Sequence, residues 1–122
     1  MILVIGMLVG MASQIASAEI FVLYTLKAQP GMQGEAIAAI NQIQDYEKKK
    51  WGHTPITLTP GNGDVEASVM SLDRHKSMGE YEEVNKARFD DENWGNLYTN
   101  LQSYVQPGSL NVRFFNIEYL PK

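Results

Sequence analysis

The chain has 122 residues, 44% hydrophobic and 20% charged, the make-up of one soluble globular domain with no room for a second. Ten Lys plus Arg against fourteen Asp plus Glu leave a formal charge of −4 and no basic block to neutralise phosphates, so nucleic acid is not an expected partner. The absence of cysteine excludes a disulfide framework, a thiolate metal site and a cysteine nucleophile; with two histidines, a histidine-rich metal centre is not expected either.

Residues 1–18 carry no charge, and an apolar stretch from Ile2 to Ala12 precedes the small tripeptide Ala16-Ser17-Ala18. That pattern resembles the leader of an exported precursor without its basic n-region. Cleavage after Ala18 would leave a periplasmic or secreted domain over 19–122, whereas retention would leave a cytoplasmic protein. The plainer reading is an extra strand or buried helix running into the first strand. A membrane anchor needs roughly 20 apolar residues, and Gly6, Gly10, Ser13 and Gln14 interrupt this run, so no span is expected in the mature chain.

Ile20 to Lys27 is rich in β-branched and aromatic residues, and both of its alternating sets are largely apolar, which predicts a strand buried on both faces. After Gln29-Pro30-Gly31, the spacing of Ile37, Ile40 and Ile43 with Ala36 and Ala39 predicts an amphipathic helix over Gly34 to Trp51. Lys48, Lys49 and Lys50 suit the negative end of its dipole, and Gly52 suits the left-handed position beyond it. Ile56 to Thr59, the turn residues Pro60 to Asp64, and Val65 to Leu72 predict a β-hairpin. Ser77-Met78-Gly79-Glu80 has the spacing of a capping box and opens a second helix that is expected to turn Met78, Tyr81, Val84 and Phe89 inward. Asp90 to Asn93 interrupts that helix, and Asp91 caps a further stretch with Trp94, Leu97, Leu101, Tyr104 and Val105 on its apolar side. Val112 to Leu120 predicts the last strand, with Val112 and Phe114 on one face and Phe115, Ile117 and Tyr119 on the other.

Strand, helix, strand, strand, helix, strand is the split βαβ order of an α+β, ferredoxin-like domain: a four-stranded antiparallel sheet with the helical segments on one face. The other face is left bare, although the first and last strands carry apolar residues on both sides. Leaving roughly 600 Å² of such surface in water forgoes on the order of 10 kcal/mol. A second copy packed sheet to sheet is the simplest cover, and it closes a homodimeric α/β barrel whose interior both protomers line.

From Ile20 to Leu120 the chain resembles the dimeric α/β-barrel superfamily, which includes the antibiotic-biosynthesis monooxygenases, EthD-like proteins and NIPSNAP-like proteins. The likeness rests on the strand order, on Gly63-Asp64-Val65-Glu66 leading into the third strand, and on a second helix followed by an acidic turn, Trp94 and a closing helix. That last feature looks most like the NIPSNAP-type proteins. Such families include cofactor-independent oxygenases, haem-degrading enzymes, isomerases, decarboxylases and proteins without catalysis, so the resemblance implies a fold and leaves the chemistry open. A haem-degrading member would be expected to offer a histidine on its second helix. His75 lies just before that helix, and its neighbours Arg74 and Lys76 suggest a solvated loop position.

Five residues stand out as candidate ligand contacts. Tyr24, Arg113, Asn116 and Tyr119 are polar groups embedded in apolar strands, where an unpartnered group costs several kcal/mol. The two tyrosines would orient a carbonyl or phenol, and Arg113 would neutralise a carboxylate or a developing enolate. The plainer alternative pairs Arg113 with Glu66 or Glu118 and leaves the tyrosines as core filling. His53 follows the first helix directly, at the barrel mouth or the dipole end. Asp90, Asp91 and Glu92 read as helix capping rather than a cation site. The expected function is binding of a small hydrophobic or amphiphilic molecule, aromatic or acyl, with no cofactor. The alternatives are cofactor-independent oxygenation or isomerisation, and an interaction protein with no cavity.

Overall fold

The computed structural model describes residues 19–61 and 68–118. The leader reading of residues 1–18, most of the hairpin turn with the Gly63 to Glu66 segment, and Tyr119 lie outside the described residues. Along the chain run β1 (Ile20–Lys27), α1 (Gln33–Trp51), β2 (Ile56–Leu58), β3 (Ser68–His75), α2 (Met78–Asp90), α3 (Glu92–Gln102) and β4 (Asn111–Asn116). The sheet order is β2-β3-β1-β4, and every neighbouring pair is antiparallel. This is the ferredoxin-like α+β sandwich expected from the element order.

Residues paired across neighbouring strands point to the same face. The registers Ile20↔His75, Val22↔Asp73, Tyr24↔Ser71 and Leu26↔Val69 therefore place these eight side chains together on the helix side. There Ile20, Val22, Leu26 and Val69 are buried, and Ala36, Ala39, Ile40 and Ile43 of α1 pack down with Leu101 and Val105. A row Ile56–Leu72–Leu23–Arg113 crosses the opposite face, flanked by Phe21 and Phe115 on one side and by Leu58 and Met70 on the other. Nothing in the described chain covers that side: Ile56 is 55% and Phe115 40% exposed. In a single chain β1 is thus buried on its helix side and only partly on the other, although its sequence is apolar on both.

The helix ends follow local chemistry. Gly52 sits at φ 78°, in the left-handed region that lets its N–H return to the Lys48 carbonyl. Ser77 accepts from the Glu80 N–H at 3.1 Å, while the Glu80 carboxylate reaches one residue further back, to the Lys76 N–H at 2.6 Å. Phe89 departs from expectation. It is 73% exposed, and Arg88 takes the inward place next to Val84, because four residues after Val84 the helical period points to 88. The second helical region divides into α2 and α3 at Asp91, whose carboxylate accepts from the Trp94 N–H at 2.8 Å, from the Tyr46 hydroxyl and from the Lys50 ammonium. One of the three lysines at the end of α1 thus has a specific partner.

The Lys50 ammonium, followed by the Trp94 N–H, pulls the Asp91 carboxyl down from 3.8 to about 2. A depressed native value contributes stability that is complete above the unfolded value and disappears as the pH falls through the native one. Between pH 4 and 2 the melting temperature of the unaltered protein should therefore fall further than that of Asp91→Asn, which keeps the cap and removes the charge. Circular-dichroism melts test this, and parallel declines would contradict it.

Candidate functional site

A cleft of about 220 Å³ opens between the sheet and the helices of one chain. Tyr24 and Leu26 form part of its floor, Ile43, Leu101, Trp94 and Tyr98 its walls, and Phe89, Leu110 and Val112 further apolar lining. The Trp94 and Tyr98 rings stack 5.2 Å apart and almost parallel, and Phe89 stands edge-on to Trp94 at 6.1 Å. The cavity foreseen between two protomers thus has a counterpart inside each single chain, on the opposite side of the sheet. Its volume lies below the ~300 Å³ at which ordinary ligand pockets begin.

At the polar end of the cleft three charges meet out of water. Arg88 Nη2 donates to Glu47 Oε1 at 2.5 Å and to Asp73 Oδ2 at 2.7 Å, and Nε donates to Glu47 Oε1 at 3.0 Å. Glu47, Asp73 and Arg88 are 3–4% exposed. The Trp94 indole N–H reaches Glu47 Oε2 at 3.3 Å, and Arg88 Nη1 donates to the Tyr24 hydroxyl at 3.0 Å. Burial works against the guanidinium charge, but Glu47, Tyr24 and Asp73 outweigh it and raise Arg88 above its ordinary range. Burial likewise opposes the Asp73 charge, yet the approach of His75 and the Arg88 cation hold this carboxyl below its usual value. Burial raises the Tyr24 phenol well above 10, against the pull of Arg88, so it stays protonated at neutral pH.

Of the five candidate residues, Tyr24 lines the cleft. Arg113 is on the opposite sheet face, with its guanidinium 5.2 Å from the Phe115 ring centre; it and Tyr24 do not converge. Glu118 forms no ion pair with it, and Glu66 lies outside the described residues. Asn116 pairs with Ile20 at the far end of the sheet, and Tyr119 is not described. His53 joins a file of rings beside the cleft: Trp51, His53, His75, Tyr81 and Phe114 follow one another at 5.1–6.2 Å. Burial lowers the His53 value. His75 departs from the solvated loop position expected for it. It ends β3 at 2% exposure, and neither ring nitrogen finds a hydrogen-bond partner, Asp73 Oδ2 being 3.7 Å away. The alternation Val69, Ser71, Asp73, His75 carries it to the helix side, where α2 covers it.

Glu47, Asp73 and Arg88 are the residues that sequence reasoning missed. The signal was there. Glu47 continues the buried stripe Ala36, Ile40, Ile43; Arg88 follows Val84; and Asp73 is in phase with Val69. Charges at core positions of three elements, two acidic and one basic, call for one another. No group of three or more His, Asp or Glu among the described residues is arranged to hold a metal ion. Replacing Arg88 by Met should cost about 3–5 kcal/mol of stability, the usual loss when a buried pair keeps only its acidic partners. Urea unfolding measures it, and a loss under about 1 kcal/mol would show that water reaches the carboxylates.

No protein-family model matches the sequence, and no curated protein matches it significantly. Solved structures do. A NIPSNAP family protein from Agrobacterium tumefaciens superposes at a TM-score of 0.66 with 15% identity, over 81% of this chain and 85% of that one. A proposed antibiotic biosynthesis monooxygenase from Caulobacter crescentus gives 0.67 with 14% identity, over 88% and 96%. The cofactor-independent oxygenase SnoaB from Streptomyces nogalater gives 0.65 with 11% identity, over 86% and 99%. At these identities the likeness is one of fold: this chain has the ferredoxin-like architecture shared by the NIPSNAP and antibiotic-biosynthesis-monooxygenase-like proteins.

Proposed function

We propose that the protein is a homodimer, joined through its open sheet faces, in which each protomer binds a small hydrophobic or amphiphilic molecule in the cleft between sheet and helices. The observation that carries this reading is the cleft itself, a largely apolar space with the Tyr24 phenol at its floor and three buried charges behind it. The size restricts what enters to about one or two rings, or a short acyl chain, so a long chain or a many-ringed polyketide would have to protrude. The dimer is supported by the uncovered row Ile56–Leu72–Leu23 and its aromatic flanks, which water solvates poorly.

A second reading, cofactor-independent oxygenation or isomerisation, is favoured by Tyr24. A protonated phenol at the floor of an apolar cleft would hold the oxygen of an enolate supplied by the substrate. Both nearby carboxylates are engaged by Arg88, so a substrate in this reading brings its own acidity. Residues 1–18 further support export, with cleavage after Ala18; no helix among the described residues is long and apolar enough to cross a membrane. Protein from the native host should begin at Glu19, and an intact Met1 would refute processing.

Sedimentation at micromolar concentration should show a dimer, and Leu72→Asp at the centre of the open face should yield monomers that keep the native circular-dichroism spectrum. Native mass spectrometry followed by denaturing extraction should release a small apolar molecule from the dimer. Single chains throughout would refute the dimer, and ligand-free protein that takes up no small aromatic probe would refute the binding site.

A further inference from the structure

The cleft is lined by hydroxyl and amide donors, Tyr24, Tyr81 and Asn85 among them, but by no cation free to meet an anion, and this restricts the kind of ligand oxygen it can take. A guanidinium has only donors, so in the contact between Arg88 Nη1 and the Tyr24 hydroxyl the phenol oxygen must accept. The phenol keeps its own proton, and among the described residues no acceptor takes it. Ser71, in register with Tyr24, accepts from Gln44 at 3.1 Å and takes no hydrogen bond from the phenol. The proton therefore has the cleft to point into. Arg88 meanwhile has no charge to spare. It faces two carboxylates, Glu47 and Asp73, so the three side chains together carry a net charge of −1. Arg113, the cation that sequence reasoning placed against a carboxylate, is on the other side of the sheet.

The geometry points to a cleft selective for neutral molecules of one or two rings bearing a carbonyl-type acceptor oxygen, with Tyr24 as the donor that reads that oxygen and the Glu47–Arg88–Asp73 cluster as the charge that turns carboxylates away. The inference rests on the cleft being a binding site and specifies its ligand. An incoming carboxylate would be desolvated against a cluster already negative, which is unfavourable unless a new cation pairs with it. A ketone oxygen needs a single donor and brings no charge. The apolar part of the lining, with the stacked Trp94 and Tyr98 and the exposed Phe89, suits a flat apolar body.

Three probes of similar shape separate the possibilities: indane, 1-indanone and indane-1-carboxylate, each titrated into the full chain and followed by tryptophan fluorescence and calorimetry at pH 7. The ketone should bind about 5–10-fold tighter than the hydrocarbon, the difference one neutral hydrogen bond supplies, and at least tenfold tighter than the carboxylate. Tyr24→Phe should bring the ketone down to the level of indane while indane itself is held unchanged. The ranking of the three probes on the unaltered protein does not depend on whether the variant folds. If indane binds but the ketone gains nothing, or if the carboxylate binds as tightly as the ketone, the selectivity is overturned while the cleft remains a binding site. If none of the three binds, the binding reading falls and the selectivity with it.

Discussion

A single guanidinium ties the second helix of this domain to its first helix and to the sheet. Arg88 of α2 reaches Glu47 of α1 and Asp73 of β3, and all three side chains are out of water. Val84 and Arg88 are the buried residues of α2, so little aliphatic surface is available to seat this helix. Its docking rests on an interaction that works only when complete. Desolvating each charge costs several kcal/mol, and the mutual attraction offsets that cost only while the hydrogen bonds stay satisfied. Because the same three residues edge the cleft, what anchors α2 also sets the electrostatic character of the space beneath it.

The sheet separates two tasks by the alternation of its strands. Residues in phase with Val22 make the core and the cleft, and residues in phase with Leu23 make the open apolar face proposed to meet a second copy. The extreme sequence of β1, apolar at nearly every position, follows from its central place between β3 and β4. Arg113 sits on that open face with its charge over Phe115, an arrangement that keeps a cation against apolar surface through the ring's quadrupole. Tyr24, one strand away and one face over, meets Arg88 instead. Two polar residues that look alike in the sequence, each embedded in an apolar strand, thus end up on opposite sides of the sheet.

The file of rings from Trp51 to Phe114 forms a wall beside the cleft, and His75 at its middle shows how neighbours in sequence mislead. Arg74 turns outward to Glu19 at 2.8 Å, while His75, one residue on, is buried against Tyr81 and His53. A strand reverses side-chain direction at every residue, so two adjacent polar residues there share no environment. The expectation of a solvated His75 took Arg74 and Lys76 as its surroundings. Extending the Val69, Ser71, Asp73 alternation by one more step would have placed it inside.

Element order, the two-residue period of β1 and the helical stripe Ala36–Ile40–Ile43 depend on contacts between residues near one another in the chain. They were therefore legible in the sequence, as were Gly52 and the caps at Ser77 and Asp91, and together they determined the ferredoxin-like architecture. Which face of β1 meets the helices was not legible, because both of its alternating sets are apolar and only the phase of the neighbouring strands breaks the tie. Nor was the meeting of Glu47, Asp73 and Arg88, which are separated by 26 and 15 residues of chain. Each could be recognised singly as a charge at a buried position, but the partner of a buried charge is decided by how helices and sheet close on one another, and that closure is a property of the tertiary structure alone.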